Sequence, residues 1–188
     1  IPYPASASFD VNALSLLMLL NISARQDLMN RLIQLGIDYY PISFDNYNAW
    51  IASGGYGTSK KWPILFAGVM LNDLGMTHSP MFINNSRNIP LEKFSEDGYT
   101  YYNSSGGVMF GSNECFAFSG YNAPDPRCAS NCMCRDGNGS LYPEELPGGG
   151  GYRFSTSPSF VPEALAARLI NTTTGVMTLW NHSAFFDY

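Results

Sequence analysis

Lys60 and Lys61 stand side by side at the head of an apolar run, in the stretch SGGYGTSKKWPILFAGVML (53–71). The run reads as a helix, and two bare cations at its start lose about a few tenths of a kcal/mol each against the helix dipole. Backbone N–H groups and ammonium groups that converge at a helix start can hold a carboxylate. One reading is therefore an anion site made by Lys60 and Lys61, with Tyr56 in the flexible loop before them. The other is a pair of lysines that simply point into water. A phosphate loop is excluded, because it needs Gly directly before Lys-Ser/Thr, and the order here is Thr58-Ser59-Lys60-Lys61.

Two histidines are the other proton-handling groups. His78 follows a helix stop among turn residues and reads as an exposed loop side chain. His182 lies in WNHSAFFDY (180–188), between Trp180 and Asp187, where an imidazole can act as general base or acid. It is also the middle residue of Asn181-His182-Ser183, a glycosylation sequon that places a glycan beside it. Asp136, Asn138 and Ser140 begin like a calcium loop, but Leu141 and Pro147 stand where that loop needs glycine and glutamate. A structural calcium near Asp136 is the one candidate ion, and no other cofactor or metal is called for. Serine-hydrolase elbows, zinc-protease helices and dinucleotide fingerprints are missing from the sequence.

The elements that must hold these groups come from a chain of 188 residues, enough for one domain or a fragment of a larger one. A net charge of −5 argues against nucleic-acid or anionic-membrane partners, which select a basic face. Twelve tyrosines and twelve phenylalanines suit either a large core or a surface that stacks on sugar-like partners. The longest apolar stretches, ALSLLMLL (13–20) and PILFAGVML (63–71), have the length of buried helices rather than membrane spans. The chain opens on Ile1 without a basic leader, so a mature or internal start is expected. The aromatic run at Tyr188 reads as a chain that continues.

Six Asn-x-Ser/Thr sequons, at Asn21, Asn84, Asn103, Asn138, Asn171 and Asn181, exceed the roughly two or three that chance supplies at this Ser/Thr content. They point to N-glycosylation and a secreted, extracellular protein. All four cysteines, Cys115, Cys128, Cys132 and Cys134, fall within 20 residues. In an oxidising compartment they read as two local disulfides. Cys132 and Cys134 would close a strained small ring together, so Cys115 and Cys128 each take one of them. The rival, a four-thiolate zinc site, lacks the usual paired Cys-x2-Cys spacing.

The pattern predicts a mainly α chain. Residues 11–75 read as helical: VNALSLLMLL as a helix buried all round, then a capping box at Ser23–Gln26 opening an amphipathic helix that stops at Gly36. Pro63 suits the first position of the next helix, which stops at Leu74-Gly75-Met76. Residues 77–158 form an irregular excursion with a hairpin at 99–110, pinned by the cysteines. A last helix runs from Pro162 to Ile170 inside a helical stretch at 160–188, and the aromatic tail begins another. Inner and outer helices in alternation fit stacked helical hairpins.

The stretches LIQLGIDYY, GGYGTSKKWPILFAGVML and ALAARLI…LWNHSAFFDY resemble the (α/α) toroid proteins, the helical-hairpin barrels of many polysaccharide lyases and glycoside hydrolases. The resemblance covers roughly residues 11–75 and 160–188, and implies a cleft lined with aromatics, for which Trp62 and Trp180 are available. In the lyase version Lys60 and Lys61 would neutralise a uronate carboxylate. His182 or Tyr56 would take the C5 proton, and Tyr188 would protonate the leaving oxygen. A full toroid has roughly twice as many helices, so this chain supplies part of one, and its partners are carbohydrate and the remainder of a larger chain. The alternative is a non-enzymatic extracellular structural glycoprotein that assembles with copies of itself through exposed apolar helix faces.

Overall fold

The computed structural model describes residues 5–44, 50, 57–77, 82–84, 90–92, 94–102, 106–110 and 156–188, and these are mainly helical. Helix α1 is Ala5–Leu17 and α2 is Arg25–Tyr39, followed by a 3-10 turn at Pro41–Phe44. Helix α3 is Lys61–Leu71 and the short α4 is Leu74–Thr77. Strands β1 (Phe82–Asn84) and β2 (Pro90–Glu92) pair antiparallel. The short helix α5 (Ser95–Tyr99) runs into β3 (Thr100–Tyr102), which pairs antiparallel with β4 (Val108–Phe110), Tyr101 opposite Met109. Helices α6 (Phe160–Thr174), α7 (Val176–Trp180) and α8 (Ser183–Asp187) complete the described chain.

Helix α2 lies along α3, α1 packs on both α2 and α6, and α7 reaches back to α3. The α2–α3 approach rests on Gly36. A Cβ built there would stand 2.1 Å from the Pro63 carbonyl oxygen and 2.6 Å from the Ala67 Cβ. The expected stop at Gly36 is thus corrected: α2 continues through it to Tyr39, and the missing side chain lets two backbones touch.

Other boundaries shift for equally local reasons. The capping box at Ser23 does not form; Ala24 is the N-cap, and Gln26 donates instead to Asn30 Oδ1 at 2.9 Å, one turn on. Pro63 is the third residue of α3, still within the turn whose N–H groups have no helical partner. That helix ends before Leu74, because Asn72 takes the left-handed conformation (φ 55°). Its N–H and that of Asp73 then reach Val69 O (3.3 Å) and Gly68 O (2.8 Å), the two bonds of a Schellman cap. Helix α6 outruns the expected Ile170 and stops at Gly175 (φ 64°), whose N–H meets Asn171 O at 2.8 Å.

The expectation of an α1 buried all round is overturned. Among its described side chains the buried ones are Ser8, Val11, Asn12 and Ser15, a stripe at helical spacing that is mostly polar, while Phe9 (47% exposed) and Leu17 (44%) face outward. The polar stripe is well satisfied. Ser8 bonds Thr58 Oγ1 (2.6 Å), Asn12 Nδ2 donates to Ser159 O (2.5 Å), and the Trp62 indole N–H donates to Ser15 Oγ (2.7 Å). Helix α6 is inverted in the same way. It buries Phe160, Glu163, Ala166 and Ala167 and exposes Val161 (66%), Leu165 (45%) and Leu169 (58%) along one ridge. The core itself is aromatic, with Trp180 stacked on Phe185 at 4.5 Å and Phe160 and Phe186 packed around the same ring.

Candidate functional site

The two lysines do not meet solvent. Lys61 is fully buried, and its Nζ donates to Asp97 Oδ2 at 2.5 Å and to the Trp180 carbonyl oxygen at 2.7 Å. Asp97 Oδ1 takes the Trp180 indole N–H at 3.0 Å, so both carboxylate oxygens are filled. The α5 turn delivers Asp97, α3 delivers Lys61, and α7 ends at the tryptophan. Desolvating an ion pair this completely costs several kcal/mol per ion, offset here by the ion pair itself and by the hydrogen bonds to the Trp180 carbonyl oxygen and indole N–H.

Lys60 is 8% exposed, and its ammonium lies over the rings of Tyr39 (4.9 Å) and Trp50 (5.6 Å). Burial pushes its pKa down, against the pull of Glu96 and Glu163. Its backbone N–H, at the N-cap of α3, donates to Glu96 Oε1 at 3.1 Å. The anion for the helix dipole is therefore internal: Glu96 fills the place expected for a uronate carboxylate. The preceding residue, Ser59, sits at φ 59°, a conformation that costs a non-glycine residue about 1–2 kcal/mol. There its hydroxyl donates to Glu163 Oε1 at 2.5 Å, with Asn12 Oδ1 3.3 Å away.

Glu96 and Glu163 are completely buried, and the Oε2 of each has no hydrogen-bond partner. Desolvation lifts the Glu96 carboxyl from the ordinary 4.5 to about 7, with the Asp97 charge adding to it and Lys61 opposing. Desolvation also raises Glu163 well above its ordinary range, and the charge of Glu96 raises it further.

The structure thus corrects the expected roles of four residues. Trp62 and Trp180 have no exposed face for a sugar, and Lys60 and Lys61 are internal counter-ions. His182 is half-buried on the turn before α8, where Nε2 donates to the Thr100 carbonyl oxygen at 2.7 Å. Nearby, the exposed Tyr102 hydroxyl meets Asp187 and, at 3.1 Å, Ser183 Oγ. Tyr188 follows, more than a third exposed. This β3–α8 corner is a polar, aromatic surface group. Two shallow depressions, over Asp27, Asn30, Arg31 and Gln34 and beside Leu14 and Leu35, contain none of the expected site residues.

Among the sequons, Asn21 and Asn181 are exposed, and half-buried Asn171 accepts the Met177 N–H at 2.9 Å. Tyr56, His78, Asn103, Asn138, Asp136 and the four cysteines lie outside the described residues, as does the side chain of Asn84. Among the described residues no three His, Cys, Asp or Glu side chains gather as a metal site requires, and no helix is long and apolar enough to cross a membrane. The acidic halves of the network, Glu96 and Asp97, carry no motif of their own in the sequence. The available signal was charge pairing: two lysines beside an apolar helix call for two carboxylates, and SEDGY (95–99) carries an adjacent pair.

Comparison with protein-family models, curated proteins and solved structures gave no match to this chain.

Proposed function

We propose that these helices are a sector of a secreted carbohydrate-degrading protein of the α/α toroid kind, whose further helical hairpins cover α1 and α6. The observation that carries this reading is the inversion of those two helices. Each turns mostly small or polar side chains inward, Val11 and Phe160 being the large apolar ones among them, and an apolar ridge outward, Phe9 and Leu17 on one and Val161, Leu165 and Leu169 on the other. Because α1 packs on α6, the inversion is shared by neighbours. Ridges at i, i+4 and i+8 fit the grooves of another helix, and Val161, Leu165 and Leu169 carry no charge that a polar partner would answer. In this reading the β3–α8 corner, with His182, Tyr102, Asp187 and Tyr188, is where a sugar is met. Lys60 and Lys61 no longer argue for an acidic sugar in particular. The exposed Asn21 and Asn181 agree with a secreted, glycosylated surface.

The test combines turnover and assembly. The chain is incubated with uronate and neutral polysaccharides, and unsaturated or reducing sugar ends are followed for the native chain and for His182→Ala. Activity that falls at least tenfold in His182→Ala supports the enzyme reading. A silent chain that forms regular polymers favours the alternative, a structural glycoprotein in which a second copy covers the ridges. A silent monomer that binds no apolar dye overturns both.

A further inference from the structure

Ser59 and Lys60 are neighbours in sequence, and each holds one buried carboxylate: Ser59 through its hydroxyl to Glu163 Oε1, Lys60 through its backbone N–H to Glu96 Oε1. Both carboxylates keep their second oxygen out of water with no hydrogen-bond partner. Two ionised carboxylates cannot bond one another, whereas a proton on either makes it a donor to the other. We propose that Glu96 and Glu163 share a proton between their Oε2 atoms, and that this proton is a pH-sensitive latch joining the start of α3 to α5 and α6.

The charged groups around the pair fit the latch. At the N-cap of α3 the Lys60 ammonium is the cation that both carboxylates feel, itself buried against Tyr39 and Trp50. Lys61 is committed to Asp97, the second carboxylate of α5. Helix α1 contributes the neutral Asn12, and α6 contributes Glu163 itself. One ammonium thus faces two carboxyls, and a retained proton balances the site. The sign follows from proton binding. The fold keeps protons that the unfolded chain has released above about 4.5, so stability is greatest at mildly acid pH and falls as pH rises through about 7 and beyond.

The experiment is denaturant unfolding of the whole chain from about pH 5 to pH 9, on the native protein, Glu163→Gln and Glu96→Gln. An amide replaces the shared proton with a permanent donor. The native protein is expected to lose up to about tenfold in its folding equilibrium constant per pH unit per proton from about pH 5 upward, flattening once the folded carboxyls release their protons at about 7 for Glu96 and higher for Glu163, with each Gln variant visibly flatter. Equal slopes in all three overturn the latch. Should the variants fail to fold, the infrared carbonyl stretch of the native protein decides. A protonated carboxyl band at about pH 6 that vanishes on unfolding supports the shared proton, and its absence refutes it.

Discussion

Lys61 Nζ and Asp97 Oδ2 meet at 2.5 Å with neither side chain exposed. Thirty-six residues separate them, and Trp180, far along the chain, completes both ends of the pair. The bond therefore ties three helices that no local rule brings together. Lys61→Met leaves Asp97 charged and unpaired, and the expected loss is about 3–5 kcal/mol in denaturant unfolding. Lys61→Met with Asp97→Leu removes both charges, and its loss should be well below the sum of the single losses. Additive losses would mean that the pair is not coupled.

Gly36→Ala tests the approach of α2 to α3. In an ordinary helix interior alanine gains about 1 kcal/mol over glycine. Here the new methyl meets the Pro63 carbonyl oxygen at 2.1 Å, and backbone cannot step aside as a side chain can. The expected outcome is a net loss of about 2 kcal/mol or more in unfolding free energy. A neutral or stabilising result would show that the two helices are not in contact at this point.

Gly175→Ala isolates backbone conformation from packing. The residue sits at φ 64° with nothing within 4 Å of the would-be Cβ, so the cost is that of left-handed geometry, about 1–2 kcal/mol. Asn72→Gly is the reverse experiment at the end of α3, and relieving φ 55° there should leave stability unchanged or slightly raised. The two variants moving in the same direction would contradict the two caps.

Leu165→Gln probes the outward ridge of α6. The side chain is largely outside the core, so stability should change by no more than about 0.5 kcal/mol. Association and apolar-dye binding, read by sedimentation and fluorescence, should nevertheless fall. A destabilised, equally associating variant would place Leu165 in the core instead.

The helices were legible because their causes are local. VNALSLLMLL, LIQLG, PILFAGVML and PEALAARLI are rich in helix formers, enough to carry an interior glycine such as Gly36 or Gly68, and helical bonds reach only four residues. The histidine, lysines and tryptophans were visible as residues, but their settings were not. Trp62 and Trp180 looked like sugar platforms and are core, because an exposed and a buried aromatic read the same along a chain. The carboxylates of SEDGY are silent along the chain for the same reason. A glutamate in a polar loop differs from a glutamate under a helix N-terminus only by what packs above it.

The order of residues alone pointed to a mainly helical fold, which the described residues have, and to two lysines crowded at a helix start. Such features depend on neighbours within a turn or two. Which face of α1 and α6 turns inward, and which carboxylates answer the lysines, belonged to tertiary structure. Ser59 finds Glu163 across 104 residues and Lys61 finds Asp97 across 36, and contacts at such separations follow from how the whole chain closes. Electrostatics then decide the rest, since a buried ammonium keeps its charge only where the fold supplies a buried carboxylate.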